Sequence, residues 1–293
     1  MLGAELAIAA QCELAEGPVW DDRRGVLLWV DILGERVHTA DPVTGARSDF
    51  ATGVPVGAAG LTVGGGLALA LVDHFATCAA DGSGLRRVPG LTTCAPAVRF
   101  NDGKPDPWGG FCAGTMRWQG DAETGGAGRL YRLAPDGSVA ELIAGVSVSN
   151  GLDWSDDRRT FYYIDSPAGG IDAFDTDPGT GTLSGRRRIL DIVPADGMPD
   201  GMTLDADGCL WVAVWGSGEL RRYTPDGILD AVVSVPARQV TSAAFGGADL
   251  GTLFITTARE GFTPADRAAE PHAGDIFACT PGVTGRLPLR YAG

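Results

Sequence analysis

Six segments of the chain open with a similar pattern, and the first residue of each opening is a candidate for chemistry. These first residues are Glu16, Ala59, Asn101, Asn150, Asp200 and Ser242. Four of the six have oxygen-rich side chains, of which two are carboxylates and two are carboxamides. Carboxylates that converge in a narrow space repel one another, and a bound divalent cation removes that repulsion. Oxygen ligands suit hard ions such as Ca²⁺, Mg²⁺ and Mn²⁺.

Glu16, Asn150 and Asp200 are therefore candidate metal ligands, since together they offer two anionic donors and one neutral oxygen donor. The alternative is that these side chains only cap strand ends with hydrogen bonds, as Asp and Asn often do at turns. Spacing leaves both interpretations open. The three histidines show no zinc-type spacing, and no G-x-S-x-G motif is present for a serine nucleophile.

The spacing of the openings predicts the elements that position these side chains. The openings recur every 42 to 50 residues, and each precedes a short apolar segment such as Val26–Asp31 or Thr160–Asp165. Turn signals follow, among them the Pro-Asp-Gly of residues 135–137. Six such units predict an all-β, six-bladed β-propeller that occupies residues 1–293 as a single domain, and a β-sandwich is the alternative. We expect the leftover residues 5–13 to pair with the last unit and close the ring.

Charge and composition exclude several classes of partner. Lys and Arg total 23 against 37 Asp and Glu, which gives a net charge of −14 and argues against nucleic acid or anionic membrane as a partner. No apolar run reaches the roughly 18 residues of a membrane span, and the first residues lack a basic signal-peptide region. The six scattered cysteines suit buried thiols in a reducing compartment. We expect a cytoplasmic protein and, because a closed ring needs no partner, a monomer.

Several strings in the sequence are characteristic of one family. The strings are Glu16-Gly-Pro-Val-Trp, Arg99-Phe-Asn-Asp-Gly-Lys-Pro-Asp, Gly114-Thr-Met, Ser149-Asn-Gly-Leu-Asp-Trp-Ser, Phe161-Tyr-Tyr-Ile-Asp-Ser, Pro199-Asp-Gly-Met and Leu210-Trp-Val-Ala. Because they run in order through the whole chain, the sequence resembles the regucalcin (senescence-marker protein)/gluconolactonase family. The resemblance implies a six-bladed propeller with one catalytic divalent cation on its axis.

The resemblance also implies roles for individual residues. It assigns the cation to Glu16, Asn150 and Asp200, and substrate contacts to Arg99 and Asn101. The ion is Ca²⁺, Mg²⁺, Mn²⁺ or Zn²⁺, with Fe²⁺ still open. The implied activity is hydrolysis of a sugar-derived lactone to its aldonic acid, a step of carbohydrate metabolism. Asp200 is the candidate general base, because a carboxylate at the metal can take a proton from the attacking water.

Two residues of this sequence need separate expectations. Family members place an acidic residue a few positions after the Gly-Thr-Met string, where it touches substrate hydroxyls, but the counted position here is Gln119. We therefore expect Gln119 to contact substrate and to alter the preferred sugar. Lys104 is the only lysine in the chain, and we expect it beside the mouth of the ring.

Two other functions remain open: a calcium-binding regulatory protein without significant turnover, and an organophosphate hydrolase.

Overall fold

Six antiparallel sheets form the blades of a ring in the computed structural model, which describes residues 2–91, 98–118 and 126–293. The chain begins with β1 (Leu2–Gly3) and β2 (Glu5–Ile8). Blade 1 contains β3 (Ala15–Asp21), β4 (Val26–Asp31), β5 (Arg36–Ala40) and β6 (Arg47–Ala51). Blade 2 contains β7 (Val56–Leu61), β8 (Leu67–Leu71), β9 (His74–Cys78) and β10 (Arg86–Arg87). Blade 3 contains β11 (Val98–Pro105), β12 (Phe111–Arg117), β13 (Gly128–Leu133) and β14 (Val139–Val146).

The second half of the ring repeats this arrangement. Blade 4 contains β15 (Ser149–Trp154), β16 (Thr160–Asp165), β17 (Gly170–Thr176) and β18 (Leu183–Asp191). Blade 5 contains β19 (Met198–Leu204), β20 (Leu210–Trp215), β21 (Glu219–Tyr223) and β22 (Leu229–Ser234). Blade 6 contains β23 (Val240–Gly246), β24 (Thr252–Thr257) and β25 (Ile276–Cys279). A short helix, α1 (Pro264–Ala269), and two 3₁₀ turns, Ser166–Ala168 and Pro194–Asp196, lie between strands.

The N-terminal segment completes the ring. β2 pairs antiparallel with β25, so the first residues of the chain supply the outer strand of the last blade. The predicted closure is therefore confirmed. β1 adds a contact that the sequence did not predict, because it pairs in parallel with β22 and so joins blade 5 as a fifth strand.

The core consists of six apolar clusters, each lying between two neighbouring blades. β8 shows how one strand supplies two of them. Leu67, Leu69 and Leu71 pack into the cluster shared with blade 1, whereas Ala68 and Ala70 pack into the cluster shared with blade 3. Because successive strand side chains point to opposite faces, a strand buried on both faces is apolar throughout. This explains the continuous apolar runs of the sequence.

The C-terminal segment lies across one end of the axial channel and reaches every blade. Gly285 bridges Asp205 of blade 5, and its N–H donates to the Leu250 carbonyl of blade 6. The remaining contacts are made by Arg286 to Asp153 and Trp154, Arg290 to Asp21 and Asp22, Tyr291 to Thr62, and Ala292 to Gly109. All of these partners lie at the end of an inner strand or in the turn that follows it. Residues 284–292 therefore close the channel at that end, opposite the starts of the inner strands.

Within the residues described, no helix has the length and apolar character needed to cross a bilayer. The five cysteines in those ranges, Cys12, Cys78, Cys112, Cys209 and Cys279, are all free thiols, and four of them are buried.

Candidate functional site

The inner strands share a register that identifies the residues at one level of the channel. Each inner strand carries a pairing irregularity near its start, which is typical of strands that re-aim side chains. Further along each inner strand, one residue pairs with a Leu or Phe of the second strand of the same blade. These inner-strand residues are Trp20, Leu61, Pro105, Trp154, Leu204 and Phe245. Four residues before them stand Glu16, Gly57, Asn101, Asn150, Asp200 and Thr241.

In this register four of the six expected ring positions are equivalent and two are not. The expectation that Ala59 and Ser242 stand in the ring is wrong, because the equivalent residues are Gly57 and Thr241. The irregularity in β7 falls between Val56 and Ala58, and the equivalent residue, Gly57, lies two residues before Ala59.

The four equivalent residues are buried, and they lie on four different inner strands. Glu16 lies on β3, Asn101 on β11, Asn150 on β15 and Asp200 on β19. Gly151, which follows Asn150, is what allows β15 to approach β19. A Cβ atom at this position would lie 2.7 Å from the Met202 Cβ and 2.8 Å from the Asp200 carbonyl oxygen.

A chain of hydrogen bonds fixes the orientation of the two carboxamides. Arg99 Nη1 donates to Asn101 Oδ1 at 2.7 Å, and Asn101 Nδ2 donates to Asn150 Oδ1 at 2.8 Å. Asn150 Nδ2 donates in turn to Ser166 Oγ at 2.7 Å, and that hydroxyl donates to the Pro199 carbonyl at 2.6 Å. Each amide therefore has one possible orientation, and the Asn150 oxygen keeps a lone pair for a further ligand.

Carboxylates at the ends of the second strands hold the segments that lead into the site. Asp31, the last residue of β4, accepts hydrogen bonds from the N–H groups of Glu13 and Leu14 just before β3. Asp165, the last residue of β16, does the same for Ser147 and Val148 just before β15. The aspartates of the Trp-Val-Asp and Tyr-Ile-Asp strings thus position Glu16 and Asn150.

The buried carboxylates resist ionisation. Burial, reinforced by the charge of Asp102, raises the pKa of Glu16 from 4.5 to about 8. Burial, followed by the charges of Glu16, Asp102 and Glu260, raises the pKa of Asp200 well above its usual range. Burial also raises the pKa of Asp102 to about 6, while Lys104 opposes that rise. Three carboxylates thus share a region in which their charges are poorly compensated.

Arg99 is the positively charged residue of this cluster, and its burial disfavours its own charge. Burial lowers the pKa of its guanidinium to about 10, while the charges of Glu260, Glu16 and Asp200 oppose that change. Its Nε–H is buried and has no hydrogen-bond acceptor among the described residues. An oxygen of a bound molecule would satisfy this donor, as expected for a residue that contacts substrate.

The side chains present fit a hard divalent cation. Glu16 and Asp200 offer carboxylate oxygens, Asn150 offers an oriented amide oxygen, and all three are buried. A cation would compensate the charges that raise the two carboxyl pKa values. An all-oxygen donor set suits Ca²⁺, Mg²⁺ or Mn²⁺ better than a thiophilic ion.

The expectations for Gln119 and Lys104 have different outcomes. Gln119 lies outside the described residues, so its predicted contact with substrate stays a prediction. Lys104 does not lie beside the mouth, and that expectation is wrong. Its ammonium donates to Asp153 Oδ2 at 2.8 Å and to the Met202 carbonyl at 3.0 Å, in a cavity that residues 286–289 also line. Asp102 and Ser166 are members of the site region that sequence reasoning did not select.

Cys12, Asp31 and His38 form a second group whose ligand atoms lie within 4.8 Å of one another. Other contacts account for two of its members. The Asp31 carboxylate accepts three backbone hydrogen bonds, and Cys12 Sγ accepts one from the Trp29 indole at 3.4 Å. The His38 ring stacks on the Trp29 indole, with ring centroids 5.2 Å apart. We therefore assign this group to the packing of blade 1.

Comparison with known proteins agrees with this geometry. The sequence model of the SMP-30/Gluconolactonase/LRE-like region matches residues 14–259, a stretch that contains Glu16, Asn150 and Asp200. The chain belongs to this family. It is 36% identical over 293 residues to "Regucalcin" of Xenopus laevis, with 99% of this chain and 98% of that protein covered. It is also 36% identical over 293 residues to the "Putative sugar lactone lactonase YvrE" of Bacillus subtilis (strain 168), with 100% and 99% covered.

A solved structure supports the same assignment for the fold. The calcium-binding protein regucalcin from Agrobacterium tumefaciens superposes with a TM-score of 0.93 at 30% identity, covering 100% of this chain and 98% of that one. The six-bladed propeller predicted from the repeats is therefore confirmed, and the chain is a regucalcin- and lactonase-like member of its family.

Proposed function

We propose that this protein is a divalent-metal-dependent lactonase that hydrolyses a sugar-derived lactone to the aldonic acid. The observation that carries the proposal is the buried all-oxygen cluster of Glu16, Asn150 and Asp200 next to the linked pair Arg99 and Asn101. Glu16, Asn150 and Asp200 would hold the ion. When bound, a hard divalent cation supplies Lewis-acid polarisation of a carbonyl oxygen and lowers the pKa of water.

The chain's own residues carry the remaining steps. Arg99 and Asn101 orient the lactone, Arg99 through the Nε–H that has no acceptor in the protein part described. A carboxylate oxygen of Asp200 accepts the proton of the attacking water as the new C–O bond forms at the lactone carbonyl carbon. Collapse of the tetrahedral intermediate breaks the ring C–O bond, and the proton passes to the leaving hydroxyl. Positioning of this kind contributes much of the barrier reduction in acyl transfer.

Residues at the open end of the channel favour a polar substrate. Glu260 is exposed, and its backbone carbonyl accepts a hydrogen bond from Gln239 just before β23, so it lies at the end of the ring where the inner strands begin. Its charge also acts on the buried Arg99 and Asp200. An acidic group at the entrance and a buried guanidinium behind it suit a ligand with several hydroxyls. We propose Ca²⁺ as the first ion to test, since the Agrobacterium tumefaciens relative is described as a calcium-binding protein; Mg²⁺, Mn²⁺, Zn²⁺ and Fe²⁺ complete the series.

The test is an assay of acid release from a panel of five- and six-membered aldonolactones. Protein treated with a chelator is assayed before and after each metal is added back, beside Glu16→Gln and a matched control, Glu5→Gln, at an exposed position. The proposal predicts hydrolysis that the chelator abolishes, that one metal restores, and that Glu16→Gln lacks. Hydrolysis unaffected by the chelator, or no hydrolysis of any lactone, would overturn it.

The same experiment separates the two other functions. A regulatory protein would bind Ca²⁺ tightly and release no acid from any lactone or simple ester. An organophosphate hydrolase would turn over an activated phosphotriester faster than every lactone in the panel.

A further inference from the structure

The side-chain amide of Gln239 has an oxygen atom without a hydrogen-bond partner. Gln239 lies directly before β23, the inner strand of blade 6. Its Nε2 donates to the Glu260 carbonyl at 3.1 Å, which fixes the orientation of the amide and leaves Oε1 as an acceptor. Oε1 is buried and accepts no hydrogen bond from the part of the chain that the structure describes. Because an unpaired buried acceptor is unfavourable, a hydroxyl of a bound molecule would stabilise it.

Strand pairing places this amide at the mouth of the ring, next to the level of the candidate metal ligands. Gln239 stands two residues before Thr241, the ring position of blade 6, and Met198 stands two residues before Asp200 in the same way. Met198 pairs with Trp215, which in turn forms a bridge with Gln239. Side chains that lie directly opposite in antiparallel strands share a face, so these three lie side by side. Met198 is 46% exposed, so this face is open to a ligand.

Arg99 occupies the equivalent position on the opposite side of the ring. It stands two residues before Asn101, the ring position of blade 3, and blades 3 and 6 face each other across a closed ring of six. Among the described residues, the buried Arg99 Nε–H has no acceptor and the buried Gln239 Oε1 has no donor. One side of the mouth thus offers a donor and the other side an acceptor. A ligand with several oxygen atoms, at least one of them a hydroxyl, would satisfy both.

The Trp215 indole forms an apolar wall beside the Gln239 amide. Trp215 ends β20 of blade 5, yet it packs against the apolar cluster that includes Leu14 and Ala258. Leu14 precedes the inner strand of blade 1, and the Ala258 N–H donates to the Gln239 carbonyl, so the indole extends across the start of β23. It is only partly buried. A flat apolar surface beside a polar acceptor suits a sugar ring, which has C–H groups on its faces and hydroxyls at its edge.

We propose that Gln239 and Trp215 form a subsite that selects lactones with ring hydroxyls. Gln239 Oε1 accepts a hydrogen bond from a hydroxyl at the edge of the ring, and the Trp215 indole packs on the C–H face of the same ring. A lactone without hydroxyls leaves Oε1 unpaired and binds more weakly. This assignment rests on the proposed function, because the bound ring is taken to be that of the lactone.

The first test compares the hydrolysis of two six-membered lactones by the metal-loaded wild type and Gln239→Met. Gluconolactone carries ring hydroxyls, whereas δ-valerolactone has the same ring without them. Met has nearly the length of Gln but cannot accept the hydrogen bond. The kcat/KM for gluconolactone should fall by about 10- to 100-fold in the variant, as expected when a buried hydroxyl loses its acceptor, and kcat/KM for δ-valerolactone should not change.

The second test needs no turnover. Anhydroglucitol is a cyclic polyol with the ring hydroxyls of gluconolactone and no carbonyl, and calorimetry measures its binding. Gln239→Met should bind it at least about 10-fold more weakly than the wild type. Trp215→Phe keeps an aromatic face and should bind it nearly as the wild type does, whereas Trp215→Leu should bind it more weakly. Gln11→Met is the matched control, at an exposed glutamine whose amide nitrogen and oxygen are both hydrogen-bonded, and should bind like the wild type.

The two tests separate this subsite from the lactonase activity. Hydrolysis of both lactones, with the same ratio of kcat/KM values in the wild type and Gln239→Met, would overturn the subsite and leave the lactonase proposal intact. Weaker anhydroglucitol binding by Gln239→Met, without hydrolysis of any lactone, would do the reverse. Equal anhydroglucitol affinity in the two proteins, or no binding to the wild type, would also overturn the subsite, because only water would then pair with Gln239 Oε1.

Discussion

Glu16→Gln in the metal-free protein gives the sharpest prediction about the axial carboxylates. Gln has nearly the shape of Glu but does not ionise, so the substitution removes one buried charge from beside Asp102 and Asp200. We expect the variant to lose metal binding and, when no metal is present, to be more stable than the wild type at alkaline pH.

The pKa of Glu16 sets the magnitude and sign of this effect. Burial raises it from 4.5 to about 8, and at 1.36 kcal/mol per pH unit this rise corresponds to about 5 kcal/mol. Because the folded chain binds this proton more tightly than the unfolded chain, the contribution of Glu16 to stability is complete below pH 4.5. It is lost as the pH rises through about 8. Gln at this position has no such dependence.

The assay is urea unfolding in chelator at pH values between 5 and 9, followed by tryptophan fluorescence. The difference in unfolding free energy between Glu16→Gln and the wild type should grow by about 4 kcal/mol across this range, because a small part of the total effect already falls below pH 5. Glu5→Gln, at an exposed position, should follow the wild type throughout. Saturating metal should remove the alkaline loss of stability from the wild type alone. Parallel pH profiles for the wild type and Glu16→Gln would show that the pKa of Glu16 is the same in the folded and unfolded chains, contrary to this prediction.

Three further predictions concern other residues of the structure. Asp200→Asn should lower kcat by about 10²-fold or more with the fold intact by circular dichroism, whereas the exposed Asp226→Asn should not; near-normal turnover would remove the general-base role. Ser166→Ala breaks the hydrogen bond that orients Asn150, so metal affinity measured by titration should fall about 10- to 100-fold, and unchanged affinity would exclude this positioning role. Deletion of residues 283–293 removes contacts with all six blades and should lower the melting temperature by several degrees; an unchanged value would show that the segment adds no stability.

The repeats made most of the fold predictable. Turn signals such as Pro-Asp-Gly and the apolar second strands depend on local residue preferences, so they mark each blade in the sequence. The closing strand was predictable because six units left one segment over. The parallel contact of β1 with β22 was not, because two residues carry no pattern that specifies a partner.

Side-chain directions near the axis were less predictable than the strands. The pairing irregularity skips one residue in β7 and two in β11, so equal spacing in sequence does not give equal positions in the channel. This is why Ala59 was selected in place of Gly57. For the same reason Lys104, only three residues after Asn101, lies in the cavity that residues 286–289 also line and not at the mouth.

Ser166 shows a different limit. It belongs to a 3₁₀ turn 16 residues after Asn150, and its role depends on contacts with Asn150 and with the Pro199 carbonyl of the next blade. A serine next to a proline in a turn is common, so the sequence carried no signal for this contact. Only the packing of blade 4 against blade 5 reveals it.

Anomalous diffraction from crystals soaked with Mn²⁺ would locate the axial ion itself. We expect a single strong peak on the propeller axis, bounded by side-chain oxygens of Glu16, Asn150 and Asp200, and no peak at that position in Glu16→Gln crystals. A peak at another position with none there, or an axial peak that persists in Glu16→Gln, would contradict it.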